Sequence, residues 1–434
     1  MNKELALELY EAAVDAAAPG ELTARAVDGL PIGRASRVWL FAFGKMAQPM
    51  AAAAVTSLLR GLHAIIGGVI VSPDPGAAPY PTIVAMRGDY PVPGRNSFAA
   101  AAKIAEVTPG RRGNDVAIVL VSAGASSLIA GAIRGLGDSD VTTLYELLQT
   151  SGLDVASMNA VRKRFSRWGA GRLALALAPA ATHCLAISDV PGDDLGIIGS
   201  GPCAPDETTV KDITDILQRS GLLTKIPAAH RDFLIGITRG ANPETPNKQH
   251  PAFAHVSSRV IGNTKTAVDG AAARARAAGL ETNVADERLT GDASRAGEVI
   301  AHALLAARAD GGNRCSIWGG EATVNLPPLV NRATTSGRCQ ELALAAARVL
   351  YEAGDRANGI TLLAACTGGR DAGTDAAGAI VDNTTWPAIA AAGRDPGQAL
   401  SRHECNGALR AVNAVIEQRN TGTDVNDIVV GLIQ

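Results

Sequence analysis

Apolar runs of strand length recur along this chain, separated by longer Ala-rich stretches of helical period. Val38-Trp39-Leu40-Phe41-Ala42-Phe43 opens the series, and runs at 65–71, 116–121 and 185–188 continue it. A second set lies at 260–261, 316–318, 362–365 and 428–432. Inside each run apolar side chains fill successive positions and leave neither face polar. That pattern predicts strands of a parallel sheet covered by helices on both sides, since an antiparallel sandwich with one wet face would alternate. At the start of the chain Leu5, Leu9, Ala12, Ala13 and Ala16 recur at helical spacing, and Pro19-Gly20 stops that helix. The expected fold is α/β: a doubly wound, mostly parallel sheet domain, a second α/β domain, and an interdomain cleft. The stretch 239–251 carries three prolines and few large apolar residues, which reads as a linker. The expected domains are therefore 1–245 and 246–434.

Composition narrows the partners more than the fold. Of 434 residues 19% are charged and the net charge is −2, so there is no basic excess to meet a nucleic-acid backbone. Aromatic residues, at 3%, supply no stacking platform for bases. No stretch reaches the ~18 consecutive apolar residues of a membrane span. The acidic, periodic N-terminus lacks the basic start and long apolar core of a signal peptide. Six scattered cysteines without a C-x-x-C pair argue against zinc ribbons and disulfide scaffolds, and for reduced thiols in the cytoplasm. The expected partner is a small molecule, not nucleic acid or membrane; a homodimer is compatible with this.

In open parallel sheets ligands bind at the carboxyl ends of strands, so the peptides following each run are where chemistry is expected. Gly44-Lys45 lies on a strand-to-helix turn, where the lysine either meets a phosphate beside a helix N-terminus or is simply solvated. The small-residue loop at 122–127, with Ser122, Gly124, Ser126 and Ser127, suits an anion-binding nest or a tight structural turn. Ser188-Asp189-Val190-Pro191-Gly192-Asp193-Asp194 crowds three carboxylates, a costly arrangement unless a cation or basic partners neutralise them. Magnesium takes one or two carboxylates plus phosphate oxygens, which makes Asp189, Asp193 and Asp194 the candidate ligands; capping and turn formation is the plain alternative. Arg162 and Lys163 on a helix can hold phosphate or a carboxylate, or form a solvated face. In the second half Glu321 ends a strand and Arg338 opens a helix. Thr367, Asp371, Thr374 and Asp375 belong to a Gly/Thr/Asp loop able to bind a charged ligand or merely to turn the chain.

Taken in order, these peptides resemble the glycerate 2-kinase family, with its Rossmann-like N-terminal domain and a C-terminal domain of the MOFRL type. The resemblance covers nearly the whole chain and is carried by Gly44-Lys45, Tyr90-Pro91-Val92-Pro93, the 122–127 loop and Asn159-Ala160-Val161-Arg162-Lys163. It continues through the 188–194 loop, Gly199-Ser200-Gly201-Pro202, Gly320-Glu321, Gly337-Arg338-Cys339-Gln340-Glu341 and the 374–379 segment. It implies an ATP- and Mg²⁺-dependent kinase that converts D-glycerate to 2-phosphoglycerate. By the same resemblance Lys45 and Arg338 serve catalysis; on physical grounds Asp189, Asp193 or Asp194 would hold Mg²⁺ or orient the attacking hydroxyl.

Several loops depart from the family pattern. Ala123-Gly124-Ala125-Ser126 replaces a triple-glycine loop, Tyr90 stands where a histidine is usual, and Cys339 stands where an asparagine is usual. The segment 330–336 replaces a glycine-rich approach to Arg338, and Cys366-Thr367-Gly368-Gly369 lacks the family carboxylate. These changes leave room for a closely related acid, such as a four-carbon aldonate. The competing expectations are a nicotinamide-dependent hydroxypyruvate reductase and a non-catalytic sugar-acid-binding protein. The first lacks a G-x-G-x-x-G after any strand; the second leaves the carboxylate cluster without a purpose.

Overall fold

The computed structural model describes residues 2–325 and 336–434, so all of the 330–336 segment except Ser336 lies outside the described residues. Six strands form a first sheet: β1 (Arg37–Phe43), β2 (Ala64–Ser72), β3 (Ile83–Arg87), β4 (Asp115–Val121), β5 (Ala181–Ile187) and β6 (Val256–Gly262). Their spatial order is β3-β2-β1-β4-β5-β6, and the pairs β2–β3, β1–β2, β1–β4 and β4–β5 are parallel. Phe41, Phe43, Val69, Val71, Val119 and Val121 pack on one side with Ala100, Ile104, Leu128 and Leu173. The alternate residues Leu40, Ala42, Ile70, Ile118 and Leu120 are equally buried, and helix Ala47–Arg60 lies against β1, β2 and β4. A sheet dry on both faces needs no polar alternation, which is why these strands read as continuous apolar runs.

A second sheet contains β7 (Glu281–Val284), β8 (Arg314–Gly320), β9 (Ile360–Cys366), β10 (Ala376–Val381), β11 (Val415–Glu417) and β12 (Asp427–Ile433). The order is β11-β10-β9-β12-β8-β7. Here the parallel expectation gives way: β7–β8 is parallel, but β8–β12, β12–β9, β9–β10 and β10–β11 are antiparallel. The reason is burial. Leu362, Ala364, Val429 and Ile433 pack with Ile300, Leu304, Leu342 and Ala346, while the alternate Leu363, Ala365, Ile428, Val430 and Leu432 are buried as well. A sheet covered on both faces gives continuous apolar runs whichever way its strands point.

The chain folds as two compact units, Pro19–Ile261 and Met1–Ala18 together with Gly262–Gln434. The break thus falls later than the expected 245/246, and the first helix changes sides. β6 adds to the free edge of β5, with His183 Nδ1 and Ser257 Oγ 2.7 Å apart, and so draws residues 256–261 into the first sheet. Helix Asn2–Ala16 joins the second sheet: the Tyr10 hydroxyl donates to the Cys366 carbonyl at 2.8 Å, and Glu8 pairs with Arg274. Among the described residues no helix is long and apolar enough to cross a membrane.

Candidate active site

In the first unit the strand order reverses between β1 and β4, and a crevice is expected at the carboxyl ends of those two strands. Gly44 follows β1 with φ +127°, and a Cβ there would fall 2.1 Å from Ser122 Oγ, so glycine alone lets the two loops touch. The Lys45 N–H donates to the Ala123 carbonyl at 2.8 Å, which fixes the lysine backbone beside the 122–127 loop. Lys45 Nζ then lies 4.9 Å from the centroid of the Tyr90 ring. The lysine lies one residue before Met46, the N-cap of helix Ala47–Arg60, whose N-terminal dipole favours an anion at that end.

The three serines of the loop have separate duties. Ser122 is fully buried and its hydroxyl accepts the Met46 N–H at 3.1 Å, so it closes the β1 turn instead of presenting itself to phosphate. Ser127 donates to the Pro91 carbonyl at 2.7 Å, tying down the 90–93 peptide. Ser126 Oγ sits 2.7 Å from Ser200 Oγ and couples this loop to the one after β5. Tyr145 donates its hydroxyl to the Ser126 carbonyl at 3.1 Å, and the Arg162 guanidinium stacks 4.7 Å from the Tyr145 ring centroid. These contacts place Lys45 beside Gly124 and Tyr90, and link Ser126 to Arg162 through Tyr145.

Lys163 goes elsewhere. It is buried and ion-paired with Asp206 Oδ1 at 2.8 Å, which uses its charge inside the fold. On the loop after β5, Ser188 Oγ accepts the Val190 N–H at 3.2 Å and Asp194 accepts the Gly196 N–H at 2.7 Å. Asp189 and Asp193 are partly buried and Asp194 is exposed. Among the described residues no group of three or more His, Cys, Asp or Glu side chains is placed to hold a metal ion. The candidate metal ligands Asp189, Asp193 and Asp194 all lie on this one loop after β5.

In the second unit Arg338 opens helix Arg338–Glu352. Its Nε and Nη2 bind the two oxygens of buried Asp427 at 2.5 and 2.8 Å, and its Nη1 meets Glu321 at 2.9 Å. Burial works against the Arg338 charge, but Asp427 beside it overrides burial and raises its pKa. Glu321, expected to bind substrate, is thus a partner of the arginine. The 367–375 loop is mostly internal structure. Asp371 is fully buried and caps the helix with both oxygens, accepting the Cys339 N–H at 3.2 Å and the Gln340 N–H at 2.9 Å. Burial, with the Asp427 charge added to it, pushes the Asp371 carboxyl up to about 7. Thr374 accepts Gln340 Nε2 at 2.7 Å, and Thr367 donates to the Asn426 carbonyl at 2.6 Å. Asp375 is exposed and engages Asn406 at 2.7 Å and Arg410 at 3.0 Å.

Two buried carboxylates of this unit are not marked as site residues by the sequence. Asp427 begins the last strand as a lone carboxylate, and only folding brings it to Arg338. Glu341 is buried and receives hydrogen bonds from Ser294 Oγ at 3.0 Å and His403 Nδ1 at 2.8 Å, a set no local spacing announces.

The fold defines a two-unit α/β protein, with a lysine at a strand-order reversal in one unit and an arginine held by a buried carboxylate in the other. The chain belongs to the glycerate 2-kinase family. Residues 5–235 match the family described as a domain of unknown function, DUF4147, and residues 314–427 match the MOFRL family. It is 32% identical to a D-glycerate 2-kinase of Thermotoga maritima over 99% of this chain and 98% of that protein. A glycerate 2-kinase of Pyrococcus horikoshii is 28% identical over 99% and 97%. The crystal structure of a glycerate kinase from Thermotoga maritima matches with a TM-score of 0.86 at 31% identity, covering 100% of this chain and 99% of the other.

Proposed function

We propose that this protein transfers the γ-phosphoryl group of ATP to the 2-hydroxyl of D-glycerate, giving 2-phosphoglycerate, ADP and a proton. The observation that carries the reading is Lys45, fixed at the β1/β4 reversal beside a helix N-terminus, in a chain matching glycerate 2-kinases end to end. Phosphoryl transfer asks the protein mainly for positioning and for cations that stabilise the transferring oxygens. Lys45 supplies one such cation and Arg338 another, its plane set by Asp427 so that the guanidinium cannot rotate away from its working orientation. Arg162 is suited to the substrate carboxylate, and Asp189 to orienting the attacking hydroxyl and taking its proton.

The family also implies Mg²⁺. The donors on the 189–194 loop are carboxylate oxygens, hard ligands matched to that ion, and Mg²⁺ needs only one or two of them beside phosphate oxygens and water. Asp189, Asp193 and Asp194 are the residues that would hold it. When bound there the ion neutralises phosphate charge.

The reductase alternative has one point in its favour: two Agrobacterium vitis relatives, 35% and 32% identical, carry the provisional name hydroxypyruvate reductase. Against it, the turn after β1 reads Gly44-Lys45-Met46, with no glycine pattern for a pyrophosphate. The test is a panel of three- and four-carbon hydroxy acids with ATP and Mg²⁺, with products identified by phosphorus NMR. 2-Phosphoglycerate from D-glycerate supports the proposal. Phosphorylation of a four-carbon acid alone moves the substrate, and NADH oxidation on hydroxypyruvate with no phosphorylated product defeats the kinase reading.

A further inference from the structure

Tyr90 lies where loops of the first unit meet, and both of its backbone neighbours are tied down. On one side Asp89 accepts the Asn96 N–H at 2.8 Å and the Asn96 side-chain amide at 2.7 Å, while its own N–H donates to Ser97 Oγ at 2.8 Å. On the other side the Pro91 carbonyl accepts the Ser127 hydroxyl at 2.7 Å. The ring between these anchors stays 48% exposed. Its face lies 4.9 Å from Lys45 Nζ, inside the ~6 Å reach of a cation–π interaction. Gly124 leaves the slot open: a Cβ there would sit 3.2 Å from Tyr90 Cδ2 and 3.6 Å from Lys45 Cγ.

We propose that Tyr90 is the positioning residue of Lys45, its π face holding the ammonium at the β1/β4 crevice in the orientation the anionic substrate meets. The inference rests on the kinase reading of Lys45 given above. A lysine head rides on a flexible four-carbon stem. The pinned backbone fixes where that stem starts, and the anchored ring restricts where it ends. The π face carries the effect, not the phenol hydroxyl.

The test compares the wild type with Tyr90→Leu, Tyr90→Gln, Tyr90→Phe and Lys45→Ala, using ATP, Mg²⁺ and D-glycerate. Leu and Gln both remove the π face at a half-exposed position, so one failing to fold leaves the other to decide. Each is expected to lower kcat by ~3- to 30-fold, the range of a cation–π contact, with KM nearly unchanged. Tyr90→Phe is expected to restore kcat. Two results overturn the inference while leaving the kinase reading intact. One is Leu and Gln variants within twofold of wild-type kcat while Lys45→Ala is inactive. The other is Tyr90→Phe falling as far as Tyr90→Leu. Full turnover by Lys45→Ala strikes the underlying reading and the inference with it.

Discussion

Lys163 and Asp206 form a buried ion pair in which neither charge can be removed alone without cost. Deleting Asp206 strands an ammonium in the interior, and Asp206→Ala is expected to lose about 3–5 kcal/mol in urea unfolding. Asp206→Leu with Lys163→Met is expected to recover most of that loss; equal losses in the single and double variants would contradict the account. Burial opposes the charge on Asp206, but Lys163 overcomes it and lowers the pKa. Its stabilising contribution is therefore present above the unfolded value of ~3.9 and disappears as pH falls through the lower folded value. Nothing in the sequence separates Lys163 from its neighbour Arg162, since both sit in one basic turn of one helix. What separates them is the partner each meets: Asp206 for one and the Tyr145 ring for the other. Asp427 was hidden for the same reason, its role being set by a residue 89 positions away. The position of Lys45, by contrast, was legible, because a strand run followed by Gly-Lys is a local pattern with a known place on an α/β sheet.

At the scale of elements, the N-terminus of helix Arg338–Glu352 is satisfied by an internal carboxylate from another loop. Folding raises Asp371 from an ordinary ~3.9 to about 7 through burial and the neighbouring Asp427, while Arg338 pulls the other way. Between those values the folded state keeps a proton that the unfolded chain has lost. Its contribution to stability is thus fully present below ~3.9 and is lost as pH rises through about 7, on the order of 4 kcal/mol at most. Asp371→Asn, which cannot ionise, is expected to flatten the fall in denaturation midpoint between pH 4.5 and 8. Unchanged slopes would mean that Asp371 titrates normally. The first helix offers a second check. Leu9 is fully buried in the face that packs on the second sheet, so Leu9→Ala is expected to cost about 2–5 kcal/mol. The loss should appear in the transition of the second unit, and a loss confined to residues 19–261 would refute the observed unit assignment. That helix was readable from its spacing, but its partner was not. β10 was missed because Ala376-Ala377-Gly378-Ala379 lacks β-branched and aromatic residues and reads as a loop, although β10 is buried along its whole length.

For the whole molecule, the sequence carried the architecture further than the site. Continuous apolar runs located strands in both sheets because both are dry on two faces. The same dryness concealed that the second sheet is largely antiparallel. The loops that looked equally chemical proved unequal: those after β1 and β4 converge on Lys45, whereas 367–375 serves mainly to hold a helix start and a turn. The central claim is that Lys45 and Arg338 are the cationic groups of a phosphoryl transfer to a small hydroxy acid. The direct measurement is Mg²⁺-dependent ADP release from ATP in the presence of D-glycerate, run on the wild type, Lys45→Ala and Arg338→Ala with matched thermal melts for the two variants. The account predicts turnover by the wild type and a loss of at least a hundredfold in each folded variant, as expected when a transition-state contact worth ~2.7 kcal/mol or more is removed. ADP release that is equal in all three would contradict it.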